Sequence, residues 1–189
     1  MCIRDSSTSA PLVGFLTTAT ALPDGAEVDV TGWSTALLEP EVALRIDREL
    51  RPGADETEIR AAVGAFGAAI ELADLEPTTE VERILAGDIF HRHVLLGDLT
   101  EPASGLDEVS VTVEIDGETH TAGADPKEAN GDFAGLLGSL LPQLELIGET
   151  LQPGDIVITG SAVPPLLIEA GQAVTVSLST GSPVGVKFS

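Results

Sequence analysis

Leu37-Leu38-Glu39-Pro40-Glu41-Val42-Ala43-Leu44-Arg45-Ile46 alternates with the period of two that marks an extended strand. Leu38, Pro40, Val42, Leu44 and Ile46 fall on one face, and Glu39, Glu41, Ala43 and Arg45 on the other. Two carboxylates at i and i+2 therefore point the same way, with Cα atoms roughly 6.6 Å apart. Like charges held that close on a buried face need a proton or a counter-charge. A divalent cation meets that need, because carboxylate oxygens suit Mg²⁺ or Mn²⁺. The alternative is the solvated face of an amphipathic strand, which is what an isolated Glu-x-Glu usually is. Pro40 has no N–H to give, so the strand is expected at a sheet edge or to be irregular there.

Working outward, Pro23-Asp24-Gly25 marks a turn, and Glu27 to Val30 reads as a short strand before the long one. Asp55 to Gly67 predicts a helix, with Asp55 and Glu58 as a capping box, a core stripe of Ile59, Ala62, Val63 and Phe66, and Gly67 as its stop. Ala68 to Leu75 predicts a strand that puts Ala69, Glu71 and Ala73 on one face. Glu71 is then another acid among small apolar neighbours, where an unpaired charge is costly. Thr78 to Ala86 predicts a short helix, and Val94 to Gly97 a buried strand. His91 and His93 have the spacing of a two-histidine clip. Neither Cys nor a third nearby His supports zinc, so hydrogen-bonded or exposed histidines are the preferred reading, with a supporting role beside an acidic site as the alternative. Val109 to Ala122 around Asp116-Gly117 is a hairpin. Asp132 caps a helix through Leu141, which Pro142 should kink or end. Strands follow at Asp155 to Thr159, Ala173 to Ser179 and Val184 to Phe188. Gly160-Ser161 lacks both the lysine of a phosphate-binding loop and the flanks of a nucleophile elbow.

The 189 residues fit one domain able to bury roughly 70% of its unfolded surface. Thirty-one acidic against nine basic residues give a net charge of −22, which repels phosphate backbones and anionic membranes. Aromatic content of 3% leaves little for base stacking, so neither nucleic acid nor a membrane is an expected partner. The single cysteine, Cys2, fits a reducing cytoplasm. Residues 1–10 are patternless and read as a disordered or non-native leader, and 11–189 as a single catalytic domain. Asp5 cancels Arg4, and the apolar stretch after them is short, so no secretion signal is expected.

Three ordered motifs carry a resemblance. Glu39-Pro40-Glu41-Val42-Ala43, Ala69-Ile70-Glu71-Leu72-Ala73-Asp74 and Leu151-Gln152-Pro153-Gly154-Asp155-Ile156-Val157-Ile158-Thr159-Gly160-Ser161 are similar to successive segments of the fumarylacetoacetate hydrolase superfamily. The nearest branch is the 2-keto-4-pentenoate hydratase and oxalocrotonate decarboxylase group. The resemblance implies an α+β fold, a mixed β-roll with a few peripheral helices near 55–67 and 126–141. It implies that Glu39, Glu41 and Glu71 hold one Mg²⁺ or Mn²⁺, and it brings Ser161 forward as a substrate-binding residue. It further implies a cytoplasmic homo-oligomer and a lyase that hydrates a small unsaturated 2-oxo acid through a metal-stabilised enolate. Decarboxylation, C–C hydrolysis and a non-catalytic or incomplete member are the alternatives. Hydratases of this group carry an acidic pair in the segment matching Phe15 to Thr20, where this chain has Phe-Leu-Thr-Thr-Ala-Thr. They also carry an upstream lysine without a counterpart here, which implies truncation at the N-terminus and leaves the general acid/base unassigned.

Overall fold

Two long strands, 36–46 and 63–74, pair with each other and fix the architecture of the computed structural model, which describes residues 2–3, 12–101, 103 and 105–189. In chain order the strands are β1 (Cys2–Ile3), β2 (Leu12–Val13), β3 (Ala21–Leu22), β4 (Ala26–Val28), β5 (Ala36–Ile46), β6 (Val63–Asp74), β7 (His91–Leu96), β8 (Val111–Ile115), β9 (Glu118–Ala124), β10 (Ile156–Ile158), β11 (Leu166–Leu167), β12 (Ala173–Leu178) and β13 (Val184–Phe188). The helices are α1 (Glu56–Ala62), α2 (Val81–Ala86), α3 (Pro126–Asn130) and α4 (Phe133–Leu146). One sheet runs β10-β5-β6-β7-β3, with β11 also on β5, and the other runs β4-β13-β12-β8-β9. The β3–β7 and β4–β13 pairs are parallel among antiparallel neighbours, so both sheets are mixed. This is the expected α+β roll. β1 and β2 form a separate ribbon, and the rest of the leader expectation lies outside the described residues.

The main core lies between the sheets. Leu38, Val42, Leu44 and Ile46 of β5 and Phe66, Ile70 and Leu72 of β6 meet Val111, Val113, Val174, Val176, Val184 and Val186 of the second sheet. Leu137 and Leu141 of α4 and Ile59 of α1 close one side of it. A smaller core on the opposite face of β5 and β6 joins Ala43, Ala69, Ala73, Val94 and Ile158 to Leu12, Ile84, Ile89 and Phe90. Both faces of β5 are therefore covered, and a solvated carboxylate face is excluded.

Several expectations are corrected. β5 is central in its sheet, flanked by β6 on one side and by β10 and β11 on the other. Pro40 is tolerated because the second flank is interrupted. β10 pairs with residues 43–45 and β11 with residues 37–38. Pro40's carbonyl accepts from Ala162 N–H (2.7 Å) in that gap, so its missing donor faces the gap too. The capping box at Asp55 and Glu58 is present, yet α1 stops at Ala62 and Val63 opens β6. Gly67 does not end a helix. A Cβ there would lie 2.7 Å from the Asp98 carbonyl, so its small size permits a close strand-to-loop approach. α4 runs through Pro142 to Leu146, and Leu144, beyond the proline, is buried against the core.

Candidate metal centre

The β5–β6 register sets Glu39 directly opposite Glu71 and Glu41 opposite Ala69. The third acid thus sits across from the first and diagonal to the second. One ligand oxygen from each of Glu39, Glu41 and Glu71 lies within 4.8 Å of the others. Their residual exposures are 6%, 0% and 0%, which makes this one of the driest places in the fold. Among the described residues, no basic side chain forms an ion pair with Glu39 or Glu41.

Burial, and then the Glu41 charge, push Glu39 up to about 8. Burial, and then the Glu39 charge, do the same to Glu71. Glu41 is also held well above the ordinary carboxylate range, by burial first and by Glu71 second, against a 2.8 Å hydrogen bond donated to its Oε2 by Gly160 N–H. Among the described residues, Glu41 Oε1 and Glu71 Oε2 have no hydrogen-bond partner. Asp74, 6% exposed on the same strand, provides the contrast. It accepts from Ser34 N–H, Thr35 N–H and Arg92. Carboxylates buried for stability are satisfied in that way. A triad that, among the described residues, leaves two oxygens unpartnered and has the neutral ring of His91 as its one side-chain partner matches the donor set of a hard divalent ion.

His91 joins this cluster and His93 does not. Glu71 pairs with Val94 and Leu72 with His93, but Ala73 pairs with His91, so β7 carries one extra residue at Arg92. That bulge reverses the alternation and turns His91 to the triad's face while His93 stays on the other. His93 stacks near Trp33, with ring centroids 6.3 Å apart, so the two-histidine clip is not formed. His91 Nδ1 lies 2.7 Å from Glu71 Oε1, and its Nε2 lies 3.0 Å from Thr20 Oγ1. Burial lowers the His91 pKa against the opposing pull of Asp88.

Sequence reasoning missed Thr20, Asn130 and the Gly160 N–H. Asn130 donates from Nδ2 to the carbonyls of Gly160 (2.9 Å) and Ser161 (3.2 Å), which holds the loop that feeds Glu41. The only available signal was Asn130-Gly131-Asp132 between two helical segments. The Ser161 hydroxyl donates to Val163 O (2.6 Å), one residue from the Glu41 contact, leaving its oxygen lone pairs as acceptors. Asp88 accepts from Phe15 N–H (2.7 Å), and Asp88, Ile89 and Phe90 all have positive φ, at 51°, 56° and 65°. Three left-handed non-glycine residues cost about 1–2 kcal/mol each. Burial of Ile89 and Phe90 over the triad's face holds them there. Next to this cover, an open cleft of about 680 Å³ runs between Phe15, Val94, Leu96, Leu144 and Ile156.

A β-roll with a buried cluster of three carboxylates is the class that fold and site define. Residues 3–185 match the family model for the fumarylacetoacetate (FAA) hydrolase C-terminal domain, and the chain belongs to that family. Comparison with curated proteins finds no match. Among solved structures the chain is similar to 4-oxalocrotonate decarboxylase from Pseudomonas putida G7, complexed with magnesium and adipate. That similarity has a TM-score of 0.86 at 21% identity and covers 96% of this chain and 71% of that one. It is also similar to fumarylpyruvate hydrolase from Pseudomonas aeruginosa in complex with Mn²⁺ and pyruvate, with a TM-score of 0.72 at 15% identity, covering 89% and 74%. A 5-carboxymethyl-2-hydroxymuconate delta-isomerase from Mycobacterium smegmatis follows, with a TM-score of 0.75 at 12% identity, covering 97% and 71%. Family and fold are thereby fixed. At these identities the reaction is not.

Proposed function

We propose that this chain is a divalent-metal-dependent lyase of the 2-keto-4-pentenoate hydratase type, acting on a small unsaturated 2-oxo acid. One observation carries the reading: three buried carboxylates converge and, among the described residues, leave two oxygens without a hydrogen-bond partner and Glu39 and Glu41 without an ion pair. Mg²⁺ or Mn²⁺ held by Glu39, Glu41 and Glu71 would supply Lewis-acid polarisation of the 2-oxo group. The protein's own part is positional. Gly160 N–H fixes Glu41, Asn130 fixes the 160–161 loop, and Ser161 offers a hydroxyl oxygen close by as a substrate contact. The cover formed by Leu12, Ile84, Ile89 and Phe90 excludes water and must move to admit substrate.

A decarboxylase or C–C hydrolase of the same family is the second reading. Thr17 and Thr18, exposed beside the cleft, stand where an acidic pair is expected of a hydratase, and this favours it. An incomplete, non-catalytic member is favoured by the same residues. A homo-oligomer fits Leu146, 87% exposed, and Ile147 and Phe15 beside the cleft, which leave apolar surface for a second copy. Calorimetry with Mn²⁺ and Mg²⁺ tests the centre: the wild-type chain should bind and Glu41→Gln should not. A wild-type chain that binds neither ion removes the proposal. Turnover of 2-hydroxypenta-2,4-dienoate against oxalocrotonate then separates hydration from decarboxylation, and activity on either excludes the non-catalytic reading.

A further inference from the structure

We propose that His91, braced by Thr20, is the positioning residue that aims Glu71 at the cation; this rests on the metal-centre reading above. Glu71 is 0% exposed and the His91 side chain only 2%. The carboxylate thus has two unlike oxygens. Oε1 is committed to His91 Nδ1 at 2.7 Å, and Oε2 has no hydrogen-bond partner among the described residues, which leaves it available to an ion. A glutamate's last torsion is broad and roughly two-fold, so without the first contact the carboxylate could turn its free oxygen away.

A carboxylate that holds a cation carries no proton, so the hydrogen between Oε1 and Nδ1 belongs to the imidazole. Nε2 is then an acceptor, and the Thr20 hydroxyl, which lies 3.0 Å from both Nε2 and the Thr17 carbonyl, serves as its donor by turning its one proton from that carbonyl to the imidazole. Thr20 is itself fixed, because its main-chain carbonyl accepts from Val94 N–H (3.0 Å). Val94 is the residue opposite Glu71. Donor, imidazole and carboxylate are therefore tied to one point of the sheet. The β7 bulge exists in the same place. In unbroken register residue 92 would face the triad, and Arg92 would put a guanidinium there; the extra residue puts an imidazole there instead. Arg92 turns to Asp74 (2.9 Å). Partners of this kind typically change metal affinity by about 10–100-fold when removed.

The test compares purified, metal-free wild-type, His91→Ala, His91→Asn and Thr20→Val chains, titrated calorimetrically with Mn²⁺, with unfolding midpoints measured without metal. His91→Ala should weaken Mn²⁺ binding about 10–100-fold. His91→Asn, whose amide N–H stands where Nδ1–H stood, should recover most of that loss. Thr20→Val should weaken binding less than His91→Ala, and adding it to His91→Ala should cost nothing further, because the two act through one contact. A merely structural histidine would lower the metal-free midpoint and leave affinity unchanged. A folded His91→Ala chain that binds as tightly as wild type overturns the proposal while the metal centre stands. Wild type that binds no Mn²⁺ overturns both. If His91→Ala does not fold, a Thr20→Val chain with wild-type affinity overturns it.

Discussion

Glu41 is the residue on which stability and function are most directly opposed. Its side chain is fully buried, accepts one hydrogen bond from Gly160 and leaves Oε1 unpartnered beside Glu71. In the metal-free chain at neutral pH it must either stay protonated or bury a charge, and both are unfavourable relative to a neutral amide of the same shape. Glu41→Gln keeps an oxygen for the Gly160 N–H and removes the charge. It should therefore raise the urea midpoint of the metal-free chain while abolishing Mn²⁺ binding in calorimetry. A fall in midpoint would mean that Glu41 is satisfied in some other way. Glu39 and Glu41 are legible as a pair because alternation is local. Their burial is not, since the same pattern serves a solvated strand.

At the scale of elements, β6 and β7 departed furthest from expectation. Val63-Gly64-Ala65-Phe66-Gly67 continues a helical stripe in sequence yet belongs to a strand, because pairing with β5 buries both of its faces. Helix stop and strand contact make opposite predictions for Gly67→Ala. A stop would be neutral or stabilised by alanine. A Cβ 2.7 Å from the Asp98 carbonyl should instead destabilise the chain by about 1–3 kcal/mol in chemical denaturation. In β7 a single extra residue decides which histidine meets the triad, and bulges have no reliable mark in a lone sequence. The proline in α4 is the same lesson in another element. Local chemistry argued for a kink or a break at Pro142, yet the helix continues and buries Leu144 beyond it.

The whole molecule should respond to pH through the triad. In the folded chain Glu39 and Glu71 titrate near 8, well above their ordinary carboxylate range. The folded state therefore binds more protons than the unfolded state between roughly pH 4.5 and 8. Stability from these groups is complete below that window and is lost as pH rises through it. Metal-free protein should accordingly have a lower unfolding midpoint at pH 8.5 than at pH 5.5. A rising midpoint would show that another group dominates. Binding of Mn²⁺ must displace those protons, so affinity should increase with pH across the same window. The binding enthalpy should also change between buffers of different ionisation enthalpy. A net charge of −22 adds self-repulsion to any deprotonated state, and salt should relieve part of it.

What the sequence alone determined was whatever depends on near neighbours: the two-sided strand at 37–46, the capping box at Asp55, the Asp116-Gly117 hairpin and the common direction of Glu39 and Glu41. Motif order added Glu71 through a family resemblance, with no geometric warrant of its own. Only the tertiary structure put Glu71 opposite Glu39, because strand register is set by packing over the whole length of both strands. It alone brought Thr20 to His91 and Asn130 to the loop after β10, across separations of 71 and 30 residues. It alone sealed the carboxylates from water. Burial is what turns two strand-face acids into a candidate cation site, and burial belongs to the fold.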